Sequence, residues 1–318
     1  MVVKLLRSLL SIRNGRLGWL LLGAAPILTI VGGSWWLTAP LEPTSVRSDA
    51  RQTVRVKATP LQGKVKATPP QDNESLPPWP EHRLEGTAAK ELLLATLIRV
   101  HNEFKKVEGY TATFYKQERL RGKLGPEQTL AMKVRERPFA VYFKFLAPVA
   151  GKEVVYAEGY RDNKIIAHST GVSRLLVPRL SVPPNHPLAL ADSRHPVTEA
   201  GLGNLIDRLV GFRRKDANDP SASTILDRTT DHAGKPCLRS IHLHEHKTPE
   251  RPFARVEVLY DPESRVPVRI SNYDWPEPDH QGDLLLAERY TYENVNTHAS
   301  LSNLDFDPAN PAYAFHRY

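Results

Sequence analysis

The chain holds one cysteine, Cys237, and two methionines in 318 residues. A single cysteine excludes an internal disulfide framework and any multi-cysteine zinc or iron–sulfur site. Glycine is sparse, 18 residues against 27 prolines. That balance favours linkers, edge strands and irregular loops over long helices. The familiar motifs of chemistry are missing. There is no G-x-S-x-G, P-loop, H-E-x-x-H or strand–G-x-G-x-x-G–helix unit. Gly201-Leu-Gly203 is too short for a phosphate loop and reads as an irregular helix start. Large single-sign charge is missing from the body too. Residues 1–86 hold 11 Lys+Arg and 6 Asp+Glu, whereas residues 87–318 hold 32 and 29. So nearly neutral a body argues against a nucleic-acid-binding domain. With 41% hydrophobic residues the chain has enough apolar surface for a sizeable core.

One long uncharged run is present. Residues 1–16 carry Lys4, Arg7, Arg13 and Arg16 without an acid, and nothing from Leu17 to Leu37 is charged. At about 1.5 Å per residue a helix of that length covers roughly 30 Å, the thickness of a bilayer core. Trp19 lies near one end and Trp35 and Trp36 at the other, as interfacial aromatics do. The basic flank keeps residues 1–16 in the cytoplasm, so the rest is expected across the membrane. A cleaved signal peptide is the competing reading. Either way the body reaches a periplasmic compartment.

Residues 38–86 read as a tether. Eight prolines fall between Pro40 and Pro80, and Val56-Lys-Ala-Thr-Pro60 recurs as Val65-Lys-Ala-Thr-Pro69. Proline-rich chain stays extended and acts as a semi-rigid spacer. Residues 87–318 then read as one domain. Leu93, Leu97, Val100, Phe104 and Val107 make one helical stripe, with Thr87 as N-cap and Gly109 as stop. After that the period changes to two. Strands are predicted over 110–119, 128–137, 139–146, 153–158, 164–169, 174–177, 223–229, 237–246, 254–260, 266–273 and 284–294. Residues 178–196 hold five prolines and read as an irregular loop. A helix is predicted over 199–212. So many short-linked antiparallel strands cannot stay flat and open; they curl or split. The expected class is α+β: a strongly curved antiparallel β half-barrel with a helical lid, preceded by one transmembrane or signal helix.

Few residues point to chemistry. His242, His244 and His246 would share one strand face and could hold a metal if a carboxylate joined them. The alternative is a solvent-facing strand edge with Ile241 and Leu243 inward. No metal site, cofactor or catalytic constellation is assigned. Cys237 reads as a small buried side chain. Arg137-Pro138-Phe139 has two readings. Either it is a tight turn with a solvated arginine, or Arg137 stands at the mouth of an apolar cavity as donor to a ligand or a closing loop.

Taken in order, the motifs carry a resemblance. They are a helix, Tyr110-Thr-Ala-Thr-Phe-Tyr-Lys-Gln117, a turn, Met132-Lys-Val-Arg-Glu-Arg-Pro138-Phe139, then Phe143-Lys-Phe145 with Pro148, then Val154-Val155-Tyr156 with Gly159 and Asn163-Lys164. This is similar to the LolA/LolB lipoprotein-carrier superfamily of bacterial envelopes. The closer likeness is to the domain-of-unknown-function family number 1571. Asp305-Phe-Asp-Pro308-Ala-Asn310-Pro-Ala-Tyr313-Ala-Phe315 and Tyr260-Asp-Pro-Glu-Ser-Arg-Val-Pro267-Val-Arg269 look typical of it. The resemblance implies an incomplete barrel with a helical lid and a cavity for acyl chains, and an Arg137 that takes part in opening and closing. It does not carry over the shuttling role, because the soluble carrier has no anchor or long tether and the outer-membrane acceptor has an N-terminal lipobox cysteine.

Two functions lead at this point, ahead of a third, a hydrolase with a carboxylate or His site that the motifs do not show. One is a non-enzymatic binder of a lipid or lipoprotein acyl chain, held on the inner membrane by residues 17–37. Its candidate ligand contacts are Phe114, Met132, Phe139, Val141, Phe143, Phe145 and Tyr156, with Arg137 at the rim. The other is an envelope sensor or interaction module with a protein partner and no small ligand.

Overall fold

A computed structural model describes residues 76–168, 179–231, 233–276 and 283–316. The expected membrane segment 17–37, the tether up to residue 75 and the strand expected at 174–177 lie outside these residues. No helix among the described residues is long and apolar enough to cross a membrane.

The folded part starts ahead of residue 87. Trp79 is buried, packs against Tyr260 with the rings tilted and 5.5 Å between centroids, and donates its indole N–H to the Asp227 carbonyl at 2.9 Å. Leu84 and Glu85 form strand β1 against Leu226 and Ile225. Helix α1 follows at Gly86–Phe104. It buries Leu93, Leu97, Val100 and Phe104 of the stripe read from the spacing, and Ala89 besides. Burying the four larger side chains contributes a gross gain of about 6–12 kcal/mol, before ordering entropy offsets it. The cap differs from expectation. Glu85 is the N-cap, in extended backbone, and Thr87 already lies in the first turn. The helix stops at Phe104, so Val107 falls beyond it.

The strands follow as β2 (Gly109–Leu120), β3 (Lys123–Leu124), β4 (Gln128–Arg135), β5 (Ala140–Ala147), β6 (Glu153–Ala157), β7 (Ile165–His168) and β8 (Arg179–Val182). Helix α2 spans Leu202–Ala217, after which come β9 (Ala222–Thr230), β10 (Pro236–His244), β11 (Arg255–Tyr260), β12 (Pro267–Tyr273) and β13 (Leu286–Asn296). Strand β8 was missed because it lies inside the proline-rich stretch. Proline tolerates an edge position, and β8 is the sheet's edge.

All pairings are antiparallel, in the order β1-β9-β10-β11-β12-β13-β2-β4-β5-β6-β7-β8, with β3 beside β2. The described residues thus form one large open antiparallel sheet with two helices. Alternation divides it into two faces. The inner face carries Tyr110, Ala112, Phe114, Leu130, Met132, Val134, Val141, Phe143, Tyr156 and Tyr292, and packs against the apolar sides of α1 and α2 in a single core. The opposite face carries Ala140, Tyr142, Val155 and Ile166. The C-terminal segment covers these with Phe306, Tyr313 and Phe315. Tyr142 and Tyr313 stack nearly parallel at 4.0 Å, and Lys133 pairs with Asp305 at 2.7 Å beside them.

One glycine fixes the start of α2. Gly201 has φ +100, and a Cβ there would lie 3.1 Å from the Tyr110 hydroxyl. That hydroxyl accepts the Leu202 backbone N–H at 2.7 Å, satisfying one of the orphan donors of the helix start.

Candidate functional site

The inner face is not filled everywhere. Toward β6–β8 the helices no longer cover it, and the chain between β8 and α2 crosses instead. Between them lies a cavity of about 410 Å³. Its floor is Phe114, Leu130, Phe143, Phe145, Val154, Ile165 and Ala167. Its roof is the crossing segment, through Leu188, Ala189, Pro196, Val197 and Ala200. Phe114 reinforces the floor by packing against Phe143, Tyr290 and Tyr292 with centroid separations of 5.8, 5.9 and 5.0 Å. A concave, mostly apolar space with polar groups at one end is the usual form of a small-ligand site.

The polar end is built from strands that continue the same alternation. On β2, Lys116 and Glu118 follow Phe114 inward; on β13, Glu288 and Tyr290 precede Tyr292. Glu118 and Glu288 stand directly opposite each other in the register, and both are buried. Like charges so placed need partners. Glu118 accepts from the Tyr290 hydroxyl at 2.5 Å and the Arg194 backbone N–H at 3.2 Å, and pairs with Lys116 at 3.1 Å. Glu288 accepts from Asn272 at 2.7 Å, Arg194 Nε at 2.8 Å and His195 Nε2 at 2.9 Å. Burial alone would raise the Glu288 pKa, but these donors hold it below the ordinary carboxylate value. Burial lowers the Lys116 pKa against the pull of Glu118. Lys116 also donates to the Asp192 carbonyl at 3.1 Å and the Ser193 hydroxyl at 3.0 Å. Every carboxylate oxygen of Glu118 and Glu288 therefore has a partner within the protein.

The residues expected to contact ligand divide into three groups. Phe114, Phe143 and Phe145 line this cavity. Met132 and Val141 are on the same face but sealed in the core under the helices. Phe139, Tyr156 and Arg137 line a different cleft of about 500 Å³, between the end of α1 and the start of α2. Arg137 lies in the tight turn between β4 and β5, as the first of its two readings has it. It is exposed, but it donates to the carbonyls of Lys105 and, at 3.1 Å, Val107. It thereby ties the β4–β5 turn to the carbonyls that follow α1. This cleft is polar; it holds His101, Glu136, Glu158 and Asp207. Burial raises the Glu136 pKa, opposed by its bond from the Gly203 N–H at the start of α2. A third, open cleft of about 890 Å³ beside the end of α1 mixes Val100, Phe104 and Val295 with Arg99, Glu103, Lys235 and Arg269.

The histidine run shares a face only in part: His242 and His244 both turn inward on β10. Strand β10 ends at His244, so His246 leaves the strand and is exposed. His242 faces the core, bonded to Ser240 Oγ at 2.9 Å and Thr224 Oγ1 at 3.2 Å, while Leu243 faces solvent. Burial, then the Arg213 charge, push the His242 pKa well below its ordinary value, so it is a neutral core residue. Among the described residues no group of three or more His, Cys, Asp or Glu side chains is placed to hold a metal ion. Cys237 is buried and its thiol pKa is raised, chiefly by burial.

Sequence reasoning missed Leu130, Val154, Ile165, Ala167 and the whole roof. The first four were legible as the inward phase of their strands. The roof was not, since a loop without a period gives no sign of the face it covers.

The chain belongs to the family described as protein of unknown function (DUF1571), whose model matches residues 107–315. Among curated proteins no sequence matches. Among solved structures, the chain is similar to a LolA superfamily protein from Nitrosomonas europaea at 6% identity, covering 66% of this chain and 97% of that one with a TM-score of 0.28. It is similar to the lipoprotein LppX from Mycobacterium tuberculosis at 14% identity, covering 66% and 98% with a TM-score of 0.35. It is also similar to a DUF1329 family protein from Desulfovibrio piger at 11% identity, covering 69% and 96% with a TM-score of 0.35. These likenesses are distant.

Proposed function

We propose that this protein is a non-enzymatic binder of a hydrophobic ligand, a lipid or lipoprotein acyl chain, tethered to the inner membrane by residues 17–37 with its domain in the periplasm. The observation that carries the reading is the roofed apolar cavity on the inner face, floored by Phe114, Phe143 and Phe145. Apolar burial supplies the affinity, at about 0.8 kcal/mol per methylene removed from water. A cavity of about 410 Å³ falls in the range of small-ligand sites. The carboxylates at the polar end are consumed by internal partners, which suits a structural role better than acid–base chemistry. The sequence resemblance to lipoprotein carriers points the same way.

A fluorescent fatty acyl probe tests this. Wild-type protein is expected to take it up saturably. Phe143→Glu puts a charge on the cavity floor and is expected to abolish uptake. Equal uptake by both proteins would refute the site.

A second reading is favoured by one observation. Leu146 and Val149, at the tip of the β5–β6 hairpin, are 46% and 62% exposed, and Leu188 on the roof is 60% exposed. Such side chains suit a protein-interaction module that docks an envelope partner. In that case the probe is not taken up, and Val149→Asp abolishes partner binding.

A further inference from the structure

The roof of the cavity is fastened at one end by a single charged knot, and that knot contains one group that titrates near neutral pH. Residues Asp192, Ser193, Arg194 and His195 carry it. Lys116 reaches up to the Asp192 carbonyl and Ser193 hydroxyl; Arg194 and His195 reach down to Glu118, Glu288 and the Arg119 carbonyl.

His195 is the informative member. Its Nε2 lies 2.9 Å from Glu288 Oε2 and its Nδ1 lies 3.2 Å from Glu199 Oε2. Both ring nitrogens thus face carboxylate oxygens, which only accept. Neutral imidazole has one N–H and would set a lone pair against one carboxylate. Imidazolium has two and satisfies both. The charged groups facing it come from each neighbouring element: Glu288 and Tyr290 of β13, Lys116 and Glu118 of β2, Arg208 of α2, and Asp192, Arg194 and Glu199 of the roof itself. The two in direct contact are acids.

We propose that the 183–200 segment is a pH-gated lid over the cavity, closed while His195 is protonated and Glu288 is ionised, and released at the 192–195 end when His195 loses its proton. The sign follows from the surroundings. Burial lowers the His195 pKa, but the bond and charge of Glu288 outweigh that and raise it above the ordinary 6.5. A group whose pKa is raised in the closed form stabilises that form fully below its open-form pKa. The contribution disappears as pH rises through the closed-form pKa. Glu288 sets the lower limit, because its depressed pKa keeps the knot charged down into the acid range.

The proposal deepens the binding reading, since it assigns a gate to the same cavity, but its test does not need a ligand. Hydrogen exchange is measured on the full chain in nanodiscs from pH 5.5 to 9, with the known pH dependence of chemical exchange divided out. In wild type, protection of amides in 186–200 is expected to fall with rising pH, tenfold for each unit by which the closed-form pKa exceeds the open-form value. His195→Gln keeps one donor but no titration, and is expected to give protection that no longer varies with pH. Glu199→Gln, at a half-exposed side chain, is expected to move the wild-type midpoint to lower pH. Strand amides of β2 and β4 serve as the folding control. A flat wild-type profile, or a pH-dependent profile retained in His195→Gln, overturns the gate. If protection varies as expected but the acyl probe is never taken up, the gate stands and the binding reading falls.

Discussion

Filling the cavity from its floor separates ligand contact from folding. Ala167 on β7 lies at the floor between Val154 of β6 and Leu180 of β8, its register partners. Ala167→Phe adds a phenyl ring to a cavity of about 410 Å³. The ring displaces about four methylenes of a bound chain. At about 0.8 kcal/mol each, binding weakens by about 3 kcal/mol, which is roughly 100-fold or more in affinity. Stability behaves differently. The ring enters empty space, so the overpacking cost of about 1–3 kcal/mol seen in filled cores is largely avoided. The assay is a displacement titration of a fluorescent acyl probe, run beside a thermal melt of the same protein. The expected result is much weaker binding at nearly unchanged Tm. Unchanged affinity in a folded Ala167→Phe protein would refute the placement of the ligand.

Other perturbations address the frame around the cavity. Arg137→Ala removes the tie to the carbonyls after α1; it is expected to cost about 1 kcal/mol of stability in a urea titration while leaving probe affinity unchanged. Trp79→Ala is expected to cost about 3–5 kcal/mol, read in the same way, because the residue is buried against Tyr260 and not part of a free tether. Tyr313→Ala is expected to cost roughly 3 kcal/mol and to expose Tyr142 to solvent, seen in its fluorescence and in proteolysis of the C-terminal segment. Acid weakens the fold through Glu288: its lowered pKa means a contribution present above the unfolded value, near 4.3, and lost as pH falls through the folded one. Glu288→Gln is expected to flatten the low-pH part of the stability curve.

The sequence was most informative where periodicity was strong. Ten of the strands and both helices followed from alternation and from apolar stripes, because a buried face imposes its spacing on the chain. Phe114, Phe143 and Phe145 were legible as cavity candidates for the same reason. Periodicity could not distinguish a side chain under a helix, such as Met132 or Val141, from one in an unfilled space. It also could not place Arg137, whose partners are backbone carbonyls contributed by the end of α1. The inward phase of Lys116, Glu118 and Glu288 was visible in the strands. Their burial was not, since it depends on Arg194 and His195 arriving from a loop some 70 to 95 residues away. The histidine run misled because strand β10 ends two residues before His246.

Photo-crosslinking tests most directly whether an acyl chain occupies the cavity. An acyl chain carrying a terminal diazirine is added to membranes bearing the full chain, irradiated, and the modified peptides are mapped. A chain bound there puts label on peptides containing Phe114, Phe143–Phe145, Ile165–Ala167 and Leu188, the floor and roof of one cavity. Label confined to 17–37, or on the cleft of Arg137 and Phe139 with the floor unmodified, would contradict it.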